Sequence, residues 1–436
     1  MANESVLQRI ELLKETGARN LILLGEEKKL QLSCALELAA SWLKTTKEEL
    51  AVHPDYKFLE PIGGSIRVEQ AEQIQKMVLE HKLFENEDGE DTFVKFARTG
   101  ADANAYTSFR VTAYLCSCVD ELYPSLEILL TSVFSPYFTE ENVKKEQGII
   151  AQEIRQGEDN PSNAVQYGML EGLYERNSVR INIAGTVPSI MKITPETLYR
   201  CHKAFYNPSN MALCVCGQAT LDEVLKVADK CLHGIEPIPV VSRTVTEDKA
   251  AFRKRVTKKM QVSKPIVCIG VKDVGISSDP EERVKKSIAF DLISAICFEK
   301  SSDFYASLYE GGLISPSFST WYEHTESFSF FSVFTDTDEP EALYKKFEEY
   351  TQNGLYDAIT PESFERARRV LYSAFIKSFD STEDIANDLI VDFALEGAEI
   401  FKYTDHVKNI TADYVTEVAK ELFKPEAYTM SVVEPI

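Results

Sequence analysis

Alternating apolar and polar positions mark residues 104–109 and 111–119 as paired strands. Helical spacing takes over at 121–134, 139–158 and 161–174. A similar order of patterns returns further along the chain. Residues 266–271 and 328–334 read as strands, and helices are predicted near 281–299, 302–310, 339–352, 361–379 and 382–396. Strand runs and helix runs are segregated, which predicts α+β layers with helices packed on one face of a mixed or antiparallel sheet.

The pattern is duplicated. Ile193-Thr194-Pro195-Glu196 opens a helix, with Thr as cap, Pro at the first helical position and Glu in the first turn. That helix runs to Asn207-Pro208 and is followed by a predicted strand, 211–216. Near the C-terminus, Ile410-Thr411-Ala412-Asp413 opens a second helix that runs to Lys424-Pro425, followed by a strand at 428–433. The distance from capping Thr to Pro is 14 residues in both copies, and the copies lie 217 residues apart. Two homologous half-domains are therefore expected, covering 77–236 and 263–436, joined by a Pro/Val/Thr-rich linker at 237–262. The first 76 residues do not fit this plan. Shifting strand 266–271 back by 217 lands on Glu49-Leu50-Ala51-Val52-His53-Pro54, which does not read as a buried strand. The first half is expected to lack its opening strands.

Composition narrows the class. The 436 residues carry a formal charge of −22, so the chain should be repelled by phosphate backbones, and no nucleic-acid partner is expected. The basic run Arg253-Lys254-Arg255 with Lys258-Lys259 reads as solvated linker. No apolar run is long enough to span a bilayer, and the charged residues at 1–15 lack a signal-peptide core, so a cytoplasmic protein without a membrane partner is expected. The nine Cys show no framework spacing, and an odd number cannot all pair with one another.

Candidate chemistry begins at Met77-Val78-Leu79-Glu80-His81. A helix carrying His-x-x-Glu-His places two imidazoles one turn apart, where both can hold a zinc ion while the Glu takes a proton from metal-bound water. Here the first His is Met77. Downstream, Glu146 and Glu153 are seven apart and share a helix face. With Gly100-Ala101-Asp102-Ala103-Asn104-Ala105-Tyr106-Thr107-Ser108, Gly185-Thr186 and Tyr206-Asn207-Pro208-Ser209-Asn210-Met211, these segments make residues 78–436 resemble the insulinase/pitrilysin family of zinc peptidases. The resemblance implies paired α+β half-domains around a chamber and hydrolysis of peptide bonds. It makes Glu80 the general base, His81 and Glu153 zinc ligands, and Glu146 a supporting carboxylate. It places Asn104 and Ala105 on the strand to which peptide substrate pairs.

Departures from the family pattern point to an impaired enzyme. Met77 offers a soft thioether where an imidazole is expected, and Gly311-Gly312-Leu313-Ile314-Ser315 replaces the family's Arg-Gly-Leu-x-Tyr, removing both functional side chains. Residues 1–76, through 53–61 and 64–70, resemble the N-terminal region of the clamp-loader delta-prime subunit of bacterial DNA polymerase, which suggests a fusion or a rearranged reading frame whose junction cuts into the zinc motif. Two alternative roles stay open. One is a non-catalytic subunit in a homodimer or heterodimer with an active peptidase homologue. The other is a clamp-loader-like interaction module at 1–76, although Gly25-Glu26-Glu27-Lys28-Lys29 lacks the residues of a phosphate loop.

Overall fold

The computed structural model describes residues 92–109, 111–238, 245–391 and 402–436, all within the compact unit Phe84–Ile436. The described part of the first half begins with helix α1 (Thr92–Thr99) and a hairpin of β1 (Asp102–Thr107) and β2 (Thr112–Ser117). Helix α2 (Leu122–Phe134) buries Ser125, Leu126, Leu130 and Val133. Helix α3 (Glu140–Glu158) starts where it does because Thr139 Oγ1 accepts the Asn142 amide while Asn142 Oδ1 accepts the Thr139 amide, satisfying two donors at the helix entry. Asn160 caps α4 (Pro161–Leu173) in the same spirit, accepting the Ser162 and Asn163 amides ahead of a proline whose missing N–H is no loss there. Helices α5 (Pro195–Phe205), capped by Thr194, and α6 (Leu221–Cys231) complete this half.

The second half is built on a five-stranded mixed sheet. Its strands are β3 (Arg255–Met260), β4 (Ile266–Lys272), β5 (Ser319–His324), β6 (Ser329–Asp336) and β7 (Tyr428–Pro435), in the order β3-β7-β4-β6-β5. Only β3 and β7 run parallel. The longer helices are α7 (Pro280–Ile293), α8 (Asp303–Glu310), α9 (Pro340–Glu349), α10 (Pro361–Ser378), α11 (Thr382–Val391), α12 (Tyr403–Asn409) and α13 (Ala412–Leu422). The helix expected at 281–299 ends as α7 at Ile293 and continues as one π-type turn to Phe298, closed by the Glu299 amide donating to Ser294 O at 2.9 Å.

This sheet is covered on both faces. One face meets the half's own helices through Phe290, Phe298, Phe331, Phe347 and Phe423. The other receives α4 from the first half, whose Val165, Met169, Leu170 and Leu173 are fully enclosed with Cys268, Phe330 and Val433. Burying each such side chain stabilises the fold by roughly 1.5–3 kcal/mol. The approach is close because it is lined by glycine. A Cβ on Gly172 would collide with Thr429 Oγ1, and one on Gly270 would sit 2.5 Å from Met169 Cγ.

Polar groups lock the same junction. Tyr174 donates its hydroxyl to Ser329 O at 2.7 Å, and Asn177 Nδ2 donates to Ser327 O at 2.9 Å. Glu247 accepts the amides of Glu175, Arg176 and Asn177 and lies 3.5 Å from the buried Lys272 ammonium. Burial pushes the Glu247 carboxyl up, yet those three amides and the Lys272 charge hold it below the ordinary carboxylate value.

The 217-residue offset is visible in the strands. Asp102 faces Ser117 in the first hairpin, and Ser319 faces Phe334 in the second, so the two hairpins share one register at that offset. Several elements were not read from sequence, among them helices α1, α6 and α12. Strand β5 was not anticipated, and β3 lies inside the stretch expected to be linker. Segment 211–216, expected as a strand, enters no strand ladder among the described residues.

Candidate functional site

Glu146 and Glu153 both lie on α3. The helix is held from its flank: Ala151 and Ile154 pack on Ile190, and Gln147 Nε2 donates to Ile190 O at 3.0 Å and to Ile193 O at 2.9 Å. The two glutamates sit on the neighbouring stripe of the same helix, separated by two turns. Glu153 is exposed and Glu146 half-buried. Burial first, and then the negative charge of Glu153, push the Glu146 carboxyl up to about 7. The pair is therefore an electrostatically coupled donor set, in which Glu146 holds its proton into the neutral range and a nearby cation would release it.

Asn104 and Ala105 lie on β1, facing Leu115 and Tyr114 of β2. In the two-stranded sheet formed by β1 and β2, the other edge of β1 has no strand neighbour among the described residues. Asn104 Oδ1 accepts the Ala105 amide at 2.9 Å, a bond sequence reading missed because it depends on the side-chain rotamer. Such an edge can accept an extended peptide by main-chain pairing, provided Asn104 gives up the Ala105 amide. β1 packs with α1 and β2, whereas α3 packs with α4 and the turn Val187–Ile190, so these residues and the glutamates belong to separate packing groups.

Met77, Glu80 and His81 lie outside the described residues, as does the whole clamp-loader-like stretch 1–76. Among the described residues, no three His, Cys, Asp or Glu side chains group to hold a metal ion. Gly311 and Gly312 close α8, with Gly312 at φ +69°, and Leu313 and Ile314 turn inward to the core. Ser315 and Ser317 donate their hydroxyls to Asp336, so this segment presents a small hydroxyl cluster with no arginine or tyrosine. No helix among the described residues is long and apolar enough to cross a membrane.

Comparison with known proteins bears on the same residues. Residues 77–187 match the model of Insulinase (Peptidase family M16), and residues 192–371 match that of the Peptidase M16 inactive domain. The chain is 36% identical over 385 residues to the uncharacterized zinc protease YmfH of Bacillus subtilis (strain 168), covering 87% of this chain and 89% of that protein. The crystal structure of an M16-like peptidase from Alicyclobacillus acidocaldarius superposes with a TM-score of 0.75 at 30% identity, covering 82% of this chain and 85% of that one. A protease from Helicobacter pylori shares the fold, with a TM-score of 0.71 at 18% identity over 82% of this chain and 88% of that one.

Proposed function

This chain belongs to the insulinase family of peptidases, and from that premise we propose that it is a zinc-peptidase homologue whose metal site is impaired. Relatives of this chain are called zinc proteases, so zinc is the metal expected of the family. The observation that carries the proposal is Met77 at the first ligand position. A catalytic zinc takes three protein ligands and leaves one position open for water. The donors available here are one imidazole at His81, one carboxylate at Glu153 and a thioether, which do not fit that requirement. Glu80 keeps the carboxylate of a general base without a properly held metal to work on, and Glu146 keeps its supporting position. The edge of β1 at Asn104 and Ala105 is the part of the apparatus that needs no metal, and peptide binding there outlasts the loss of hydrolysis.

In this reading residues 1–76 are a clamp-loader-like addition, 77–236 and 263–436 are the two peptidase half-domains, the second of which gains β3 from the stretch 237–262 as an edge strand, and the protein works in the cytoplasm. The test is zinc content per chain, measured beside cleavage of a quenched peptide, for the wild type and Met77→His. The expected result is zinc well below one per chain and no cleavage for the wild type, with zinc raised in Met77→His. A wild-type chain with one tightly held zinc would overturn the proposal.

A second reading is favoured by the state of the first half, where α5 and α6 bury no residue. There the chain is a non-catalytic subunit that pairs with an active homologue. Co-purification with an intact peptidase relative checks it.

A further inference from the structure

The two halves are copies, and one of them carries a fuller sheet. In the second half the segment that follows α13 and the single 3-10 turn at Pro425 is β7. It lies between β3, which runs parallel to it, and β4, which runs antiparallel to it and also to β6. In the first half the matching segment is 211–216, which follows α5 and the 3-10 turn at Pro208. Its surroundings are in place. Tyr114 of β2 meets Tyr206 edge-on at 6.2 Å between ring centroids, as Phe331 of β6 meets Phe423 at 5.5 Å, and both residues of the first pair sit 217 positions before those of the second. Tyr114 and Tyr206 also share a hydroxyl hydrogen bond of 2.7 Å. Yet among the described residues 211–216 enters no ladder and β2 pairs with β1 alone, and Leu213 is 43% exposed.

The covering helices report the same gap. α13 buries Val415, Val418, Ala419 and Leu422, whereas its counterpart α5 buries none and exposes Tyr199 and Phe205. α4 is enclosed on the second-half sheet. Its counterpart α11 reaches the first half, where Tyr106 donates its hydroxyl to Asn387 Oδ1 at 2.8 Å, and buries no residue. Two strand places are thus defined by the fold: one between 211–216 and β2, where a strand antiparallel to both belongs, and one on the far side of 211–216, where a parallel strand belongs.

The sequence of this chain does not supply those strands at the expected spacing. The positions 217 residues before β3 are Leu38-Ala39-Ala40-Ser41-Trp42-Leu43, rich in helix formers, and those before β4 carry Pro54. The match to the family model begins at residue 77. We propose that the first half takes up a β-ribbon from another polypeptide, two extended strands joined by a turn, which completes its sheet by strand addition. The second half displays the chemistry of the guest. Residues 255–272 hold five Lys or Arg and no Asp or Glu, while the whole chain carries −22, so the guest is an apolar-alternating ribbon of basic character. The inference rests on the duplicated sheet and holds whether or not His81 binds zinc.

The experiment uses the full chain and a synthetic peptide with the sequence of residues 255–272, the ribbon that fills the matching places in the second half. Amide hydrogen exchange is followed with and without peptide, and binding is measured by calorimetry. The expected result is one peptide bound per chain, with exchange at 211–216 and in β2 slowed at least about tenfold. Leu213→Pro removes a ladder donor from a segment that forms no ladder among the described residues. It should abolish this protection while leaving exchange in β4 and β7 unchanged. Absence of binding overturns the proposal. So does protection of 211–216 in the free chain, whether independent of concentration (the chain's own N-terminal residues fill the place) or dependent on it (a second copy does).

Discussion

At the scale of single residues, charge placement decides what can be tested. Glu146 is held protonated up to about 7 against an ordinary 4.5, by burial and by Glu153. A carboxyl whose folded value is raised contributes stability that is complete below the ordinary value and is lost as pH climbs through the folded one. Glu146→Gln, neutral throughout, should therefore match the wild type in urea midpoint near pH 4 and exceed it at pH 8. A wild type that keeps pace with the variant up to pH 8 would contradict this. The buried Lys286 ammonium, 2.8 Å from Asp273 Oδ1, is a different case. Tyr322 and Ser329 donate hydroxyls to the other Asp273 oxygen, so the carboxylate is fully engaged only with its cation present. Lys286→Met should cost about 3–5 kcal/mol, read from chemical denaturation, because an unpaired charge is left inside. The shared face of Glu146 and Glu153 could be read from a spacing of seven. The Asn104–Ala105 bond could not, since it is set by a rotamer and by an unpaired edge.

At the scale of elements, most of the longer helices were legible because their signals are local, whereas α1, α6 and α12 were not anticipated. Thr194, Thr360 and Thr411 each cap a helix through a hydrogen bond to an amide three residues on, and each can be found by eye in the sequence. Strands depend on neighbours. Segment 211–216 has the alternation of a strand and lacks the ladder, whereas β5, whose Ser319, Thr320, Glu323 and His324 look polar, is a strand because β6 lies beside it. β3 was hidden by Lys258 and Lys259, the kind of residue that guards a sheet edge from further pairing. The close contact of α4 with β7 gives an element-level prediction. Gly172→Val must displace Thr429, and should lower stability by about 1–3 kcal/mol by urea titration, with the far-UV spectrum unchanged.

At the scale of the whole molecule, the join between halves rests on few groups. Glu247→Ala removes the acceptor of three amides and the counter-charge of Lys272, whose side chain is 2% exposed. The expected loss is about 3 kcal/mol, with faster amide exchange at 175–177 as the local signature. Preserved exchange there would show that other contacts carry the join. The duplicated plan was readable from two Thr-Pro spacings, but the crossing of α4 onto the opposite sheet was not, because nothing local says which sheet a helix will cover. That crossing governs how the gene can be shortened. A fragment starting at residue 192, where the second family match begins, would leave the slab formed by Cys268, Phe330 and Val433 facing water and prone to clump. A soluble C-terminal piece has to begin upstream of Asn160, so that the amphipathic rod it needs travels with it.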